Sequence, residues 1–255
     1  RLKADWILRR SREIRKNKEK YGIDVSISFL VAMNIMNIRT RRKEKIIISE
    51  RCVQSKFDPP LSAQQLKIQK YYNSADCIVA CAHGVKEDLM NSYYVNNEII
   101  DVIYNFSQMK QIRAKASEEM PHEIVEFIDG HDFFVCVGRI DQQKNHRRLI
   151  RQFALFHKGY PDVRLVILGN GKKEILRELE GEIEVLGLGD AICIFHFVSN
   201  PFAVMKRAKA IISASRFEGL PNVIIEAMCI GCPVISVDCF SGPRELLNDG
   251  KTYGF

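Results

Sequence analysis

Apolar runs of four to six residues alternate along most of the chain with stretches whose apolar positions recur at helical spacing. The first part predicts a helix over about 3–20, a strand from Val25 to Leu30, a helix, and a strand from Ile46 to Ser49. A helix over 62–72, a strand from Cys77 to Cys81, a helix over 83–92 and a strand from Val102 to Tyr104 complete it. Runs this short between amphipathic stretches mark parallel strands buried on both faces, hence an α/β sheet. From about Asn105 to Gly130 the pattern turns polar and irregular, as a linker would. A second alternation follows: strands Phe133 to Val137, Arg164 to Leu168, Ile192 to Phe197, Ala210 to Ser213 and Val234 to Val237, with helices over 146–158, 172–186, 201–207, 221–230 and 243–248. The expected organisation is therefore two doubly wound α/β domains, residues 1–105 and 132–255, joined by 106–131.

Composition narrows this picture. With 255 residues, 46% of them hydrophobic, the chain can bury more than one domain core. No apolar run approaches the roughly 18 residues needed to span a bilayer, and no signal peptide is visible, so a cytoplasmic chain is expected. The eight cysteines lack the spacing of a disulfide framework or zinc site, and the close pair Cys229 and Cys232 lies between a helix and a strand entry. Free thiols are the better expectation than a redox pair. Charge is uneven: residues 1–60 hold 16 Lys or Arg against 7 Asp or Glu. Arg9, Arg10, Arg12, Arg15, Lys16, Lys18 and Lys20 form one cluster, and Arg39, Arg41, Arg42, Lys43 and Lys45 another. They suit an anionic membrane surface and equally a solvated helix face with a loop. A nucleic-acid partner is not expected, since no binding module and little aromatic interleaving are present.

The candidate chemistry falls at strand ends, where doubly wound sheets hold their ligands. Gly138, Arg139 and Lys144 follow the strand from Phe133, Gly169 and Gly171 follow the next, Glu218 follows the strand ending at Ser213, and Gly242 follows Val237. Glu218 and Glu226 stand eight positions apart across a Gly219-Leu220-Pro221-Asn222 turn that opens a helix. Pro221 suits the first helical position, and free amides at such a helix start attract phosphate. Glu226 leans back along its helix, so both carboxylates can reach one cleft. An anion seat beside two carboxylates suits a sugar nucleotide. Gly169 and Gly171 fit a phosphate loop or simply a tight turn, but not a dinucleotide fingerprint, because the third glycine position holds Glu174.

In order along the chain, VGRIDQQKN, LGNG, SRFEGLPNVIIEAM, the Gly231-Cys232-Pro233-Val234-Ile235 strand entry and the Gly242-Pro243-Arg244-Glu245 turn resemble the signature of glycosyltransferase family 4, retaining transferases of the GT-B fold. ADCIVACAHGVKEDL and DVIYN resemble the end of that family's first domain. The resemblance implies two Rossmann-like domains facing a cleft, the first on the acceptor side and the second binding a nucleotide sugar. It implies that Arg139 and Lys144 neutralise the donor diphosphate, that Glu218 touches the donor sugar, and that Glu226 holds the ribose. Gly138, Gly169, Gly171 and the Gly219 to Asn222 backbone would complete the donor site. No Asp-x-Asp pair occurs, which fits catalysis without a metal or other cofactor, by front-side attack of the acceptor hydroxyl. The acceptor would be a glycan or lipid-linked glycan, and the expected protein is cytoplasmic, with the basic clusters as the ground for attachment at the inner face of a membrane.

Three departures shape the expectation. The family's opening strand with its Gly-rich acceptor loop has no counterpart, and the chain stops at Phe255 where the family continues through further helices, so an internal piece with an incomplete first domain is expected. Where the family often has a histidine after the strand at 46–49, this chain has Glu50-Arg51-Cys52. His83, opening a helix, and His196, inside a strand, are read as structural. A sugar-nucleotide epimerase or phosphorylase, or a non-catalytic sugar-nucleotide or glycan-binding module, remain the alternatives.

Overall fold

Both alternations fold as parallel α/β sheets, and the contacts of the chain divide it into two units, Arg1–Asn105 and Phe106–Phe255. The computed structural model describes residues 2–57 and 61–248, without the side chains of 2–5 and 7, so the last residues of the expected second domain lie outside the described residues.

The first unit runs α1 (Leu2–Lys20), β1 (Val25–Phe29), α2 (Val31–Arg39), β2 (Lys45–Glu50), α3 (Ala63–Tyr71), β3 (Cys77–Ala80), α4 (His83–Tyr93) and β4 (Ile100–Val102). Its strands lie in chain order, all parallel, with Ile46, Ile48, Ile78 and Ala80 wholly buried, while Val25, Ile27 and Phe29 of β1 are exposed. β4 forms two residues earlier than the apolar run suggested. Its ladder with β3 pairs Ile78 with Ile100 and ends at Ala80 with Val102, which leaves Ile103 and Tyr104 exposed beyond the sheet.

The second unit contains α5 (Met109–Ala116), α6 (His122–Ile128), β5 (Phe133–Val137), α7 (His146–His157), β6 (Arg164–Leu168), α8 (Lys173–Val185), β7 (Ile192–Phe195), α9 (Pro201–Arg207), β8 (Ala210–Ser213), α10 (Asn222–Ile230), β9 (Val234–Ser236) and α11 (Pro243–Leu246). The sheet order is β7-β6-β5-β8-β9, all parallel. From β5 the chain steps outward through β6 and β7, then returns to place β8 and β9 on the other side. The loops after β5 and β8 therefore diverge at adjacent strands, and such a switch point is where an open α/β sheet holds its ligand.

Alternate residues of the central strands feed two cores. Cys136, Leu165 and Ile167 pack under Leu149, Ile150 and Phe153 of α7 and Leu176, Leu179 and Ile183 of α8. Val135, Val166 and Ile211 pack on the opposite face with Val204 and Met205 of α9 and Ala227 and Ile230 of α10. That second core corrects one expectation. Residues 106–131 are not an irregular linker: α5 and α6 place Ile112, Ala116, Ile124 and Ile128 in it. Their apolar positions are few and spaced among charges, so the sequence looks polar although one face of each helix is buried. Each wholly buried isoleucine contributes roughly 2 kcal/mol of transfer free energy.

Candidate functional site

Three loops at the carboxyl ends of β5, β6 and β8 are fitted together backbone to backbone. Gly138 donates its N–H to Leu168 O at 3.0 Å and Ile140 donates to Asn170 O at 2.8 Å. A Cβ at Gly169 would stand 1.9 Å from Gly138 O, and one at Gly171 would stand 2.2 Å from Ile140 O. The two glycines are thus required by this close approach. Gly242, at φ +82°, is fixed in the same way, since its Cβ would lie 2.5 Å from Gly219 O. Ser241 Oγ donates to that same carbonyl at 2.8 Å.

On this frame the structure brings together Lys144 and Glu218, with Arg139 on the same loop as Lys144 but directed to Asp141 and Gln143. The Lys144 stem lies over Gly138, with Cε 3.4 Å from the place a Cβ would take, and its ammonium sits 2.7 Å from Glu218 Oε1. Both partners are largely shielded, at 17% and 8% side-chain exposure, so the pair is screened less than a surface one. Lys144 is itself seated by its backbone N–H, which donates to Asp141 Oδ1 at 3.0 Å. Arg139 is the exposed member, reaching Asp141 Oδ2 at 3.4 Å. Gln143, which the sequence reading passed over, donates from Nε2 to Phe217 O at 3.0 Å and to Glu218 Oε2 at 3.4 Å. Its position before the lysine in VGRIDQQKN was the available signal.

Glu226 faces other neighbours. It lines a hollow of about 230 Å³ with Phe106, Ser107, Gln111, Lys115, Phe202 and Asn222, and burial pushes its carboxyl above the usual carboxylate range. The cause of its placement is the start of α10: Pro221 is the residue before the helix, not its first residue, and Asn222 takes that place. Glu226 then stands one turn in, and α10 packs against α5. Pro221 itself gives α10 no side-chain cap, and Gly219, Leu220 and Pro221 are buried, so these residues offer backbone rather than side chains.

Other expected groups resolve differently. His196 lies beyond the end of β7, not inside it, 4.0 Å from Glu180. His83 opens α4 and meets Tyr104 edge to face at 6.1 Å. All eight cysteines are free, and burial raises the Cys232 thiol above its ordinary range, which disfavours the thiolate a redox pair would need. His146, at the first position of α7, is 2% exposed with no hydrogen-bond partner at either ring nitrogen among the described residues, and burial pushes its pKa down to about 4. Among the described residues no group of three or more His, Cys, Asp or Glu could hold a metal ion.

In the first unit, Lys18 is not part of an exposed basic cluster: it is buried, 2.6 Å from Glu44 and 2.7 Å from Asn37 Oδ1. Arg41 and Lys45 pair with Asp76, and Arg42 with Glu19. Arg9, Arg12, Lys16, Lys20 and Lys43 remain exposed. No helix among the described residues is long and apolar enough to cross a membrane.

Two Rossmann-like units of parallel α/β type, with a basic and acidic pair at the switch point of the second, have the GT-B fold. The chain belongs to the glycosyl transferases group 1 family, whose model matches residues 118–255. It is 31% identical over 238 residues to the N-acetylgalactosamine-N,N'-diacetylbacillosaminyl-diphospho-undecaprenol 4-alpha-N-acetylgalactosaminyltransferase of Campylobacter jejuni, covering 90% of this chain and 62% of that protein. To the lipopolysaccharide 1,6-galactosyltransferase of Salmonella typhimurium it is 27% identical, over 75% of this chain and 51% of that protein. Its fold matches the crystal structure of Anabaena HepE in complex with UDP-glucose with a TM-score of 0.76 at 16% identity, covering 93% of this chain and 65% of that one. The chain thus spans less than two thirds of the length of these relatives.

Proposed function

We propose that the protein is a retaining glycosyltransferase that moves a hexose-type sugar from a nucleotide-diphosphate sugar to a hydroxyl of a glycan or lipid-linked glycan. One observation carries this reading: Lys144 pairs with Glu218 at the β5/β8 switch point of the second unit, and Arg139 stands beside Gln143 on the same loop. When the glycosidic bond to the diphosphate breaks, negative charge grows on the leaving group. Lys144, Arg139 and the amide end of α10 meet that charge, and fixed cations and dipoles stabilise it more than they stabilise the bound substrate. Glu218 engages the sugar, Glu226 the ribose hydroxyls, and the Gly219 to Asn222 backbone the sugar and phosphate. Gly138, Gly169 and Gly171 keep the backbone close enough for the diphosphate to sit there. The charge is met by side chains and backbone, so the reaction needs no metal, and the acceptor hydroxyl attacks from the side the leaving group departs. The lipid-linked acceptor named in the Campylobacter relative favours the same class here. The exposed cations of α1 then hold the protein at the cytoplasmic face of an anionic membrane.

The test is release of nucleoside diphosphate from a panel of nucleotide sugars, with and without glycan and lipid-linked acceptors. The expected result is acceptor-dependent release, insensitive to chelator, with the anomeric configuration retained in the product and release depressed in Lys144→Ala. Turnover without an acceptor would favour an epimerase or phosphorylase, and binding without turnover a non-catalytic module.

A further inference from the structure

Gln143 ties the loop after β5 to the loop after β8 by both its main chain and its side chain. Its carbonyl accepts the Arg216 N–H at 2.8 Å, its Oε1 faces Arg139 Nη2 at 3.5 Å, and its Nε2 reaches both Phe217 O and Glu218 Oε2, at 3.0 and 3.4 Å. One side-chain amide therefore fixes the backbone just before Glu218 and one oxygen at the tip of its side chain. The other oxygen belongs to Lys144.

We propose that Gln143 is a positioning residue that holds the Glu218 carboxylate in place for the donor sugar while Lys144 turns to the diphosphate; this rests on the donor-site reading above. The charges dictate the division of labour. Lys144 carries one positive charge, and an arriving diphosphate competes with Glu218 for it, so the bond at Oε1 is the one given up. Gln143 is neutral, offers two amide N–H donors, and gains nothing by following the phosphate. Its bonds to Phe217 O and Glu218 Oε2 persist, leaving Oε1 free for a sugar hydroxyl. Leucine at this position would fill similar space but supply no donor. Glutamate would keep the shape and set one carboxylate within hydrogen-bond distance of another.

The test uses calorimetry on the chain with uridine, guanosine and adenosine diphosphates and their glucose esters, taking whichever pair the wild type binds. Gln143→Leu is expected to bind the nucleoside diphosphate within about threefold of wild type but its glucose ester at least about tenfold more weakly, the usual reach of a hydrogen bond to a charged group, while Gln143→Glu, which also adds a charge beside Arg139, should weaken both and the glucose ester by the larger factor. The change in the ratio is the diagnostic quantity, because a merely structural role would weaken both ligands together. An unchanged ratio in either folded variant, or equal weakening of both ligands, overturns the proposal. A wild type that binds none of the six compounds overturns the donor-site reading itself, and this inference with it.

Discussion

Replacing Glu218 with glutamine should tighten nucleoside diphosphate binding, although the residue lies in the proposed active site. In the free protein the Lys144 ammonium is 2.7 Å from Glu218 Oε1. At an effective dielectric of about 20, unit charges at that distance attract by roughly 6 kcal/mol, and desolvation consumes most of it. The net worth of such a charge-assisted bond is about 1.5–3 kcal/mol. Glu218→Gln removes only part of this competition, because the amide oxygen of glutamine still accepts a neutral-acceptor bond from the ammonium. About 1 kcal/mol of competition is then removed in Glu218→Gln, equivalent to roughly fivefold tighter binding. The measurement is calorimetric titration of wild type, Glu218→Gln, Lys144→Ala and the double variant with the nucleoside diphosphate the wild type prefers. Lys144→Ala should bind about 1.5–3 kcal/mol more weakly. In the Lys144→Ala background the Glu218→Gln gain should vanish, since it acts through the lysine. Weaker or unchanged binding by Glu218→Gln would refute the exchange of partners.

Two further outcomes are expected. Ile124→Ala, at a wholly buried position of α6, should cost about 2–5 kcal/mol in denaturant unfolding, and a cost near zero would return residues 106–131 to the status of a linker. His146 has a folded-state pKa near 4, below its unfolded value, so its contribution to stability is complete above about pH 6.5 and drains away as the pH falls toward 4. Between pH 7 and pH 5 this group should remove about 2 kcal/mol, and His146→Leu should unfold with a correspondingly flatter pH profile; an identical slope in both proteins would show that another group titrates.

The sheets were readable because their strands form unbroken apolar runs, buried on both faces in Leu165 to Leu168 and on alternate positions in Ile46 to Ile48, and the observed strands start and stop within a residue or two of most of them. The helices of 109–128 were not readable. Their buried faces are only two residues wide, and a polar stretch with two such residues looks like a loop until the partner surface exists. At the site, the meeting of Lys144 and Glu218 followed from strand-end placement, which needs only the order of the motifs. The part played by Gln143 did not follow: its place before Lys144 marks the loop, but the role of an uncharged side chain comes from Phe217 and Glu218, which lie more than 70 positions away. Lys18 failed for the opposite reason: its charge suggested solvent, while its partner Glu44 lies in the loop before β2.

The packing of α5 on α9 and α10 also sets a timetable for synthesis. Arg113 Nε bonds the carbonyl of Cys229, 116 residues later in the chain, and Ile112 shares a core with Ile230. At about 5–20 residues per second, a nascent α5 waits roughly 6–23 s before its partner has been made. During that interval β5 and β6 can pair and take up α7 on their other face, since those contacts are closer in sequence. The apolar sides of α5 and α6 stay uncovered meanwhile. This unit is thus expected to pass through a species with its first two helices undocked, and aggregation during expression should begin there, with Ile112, Ile124 and Ile128 as the exposed surface.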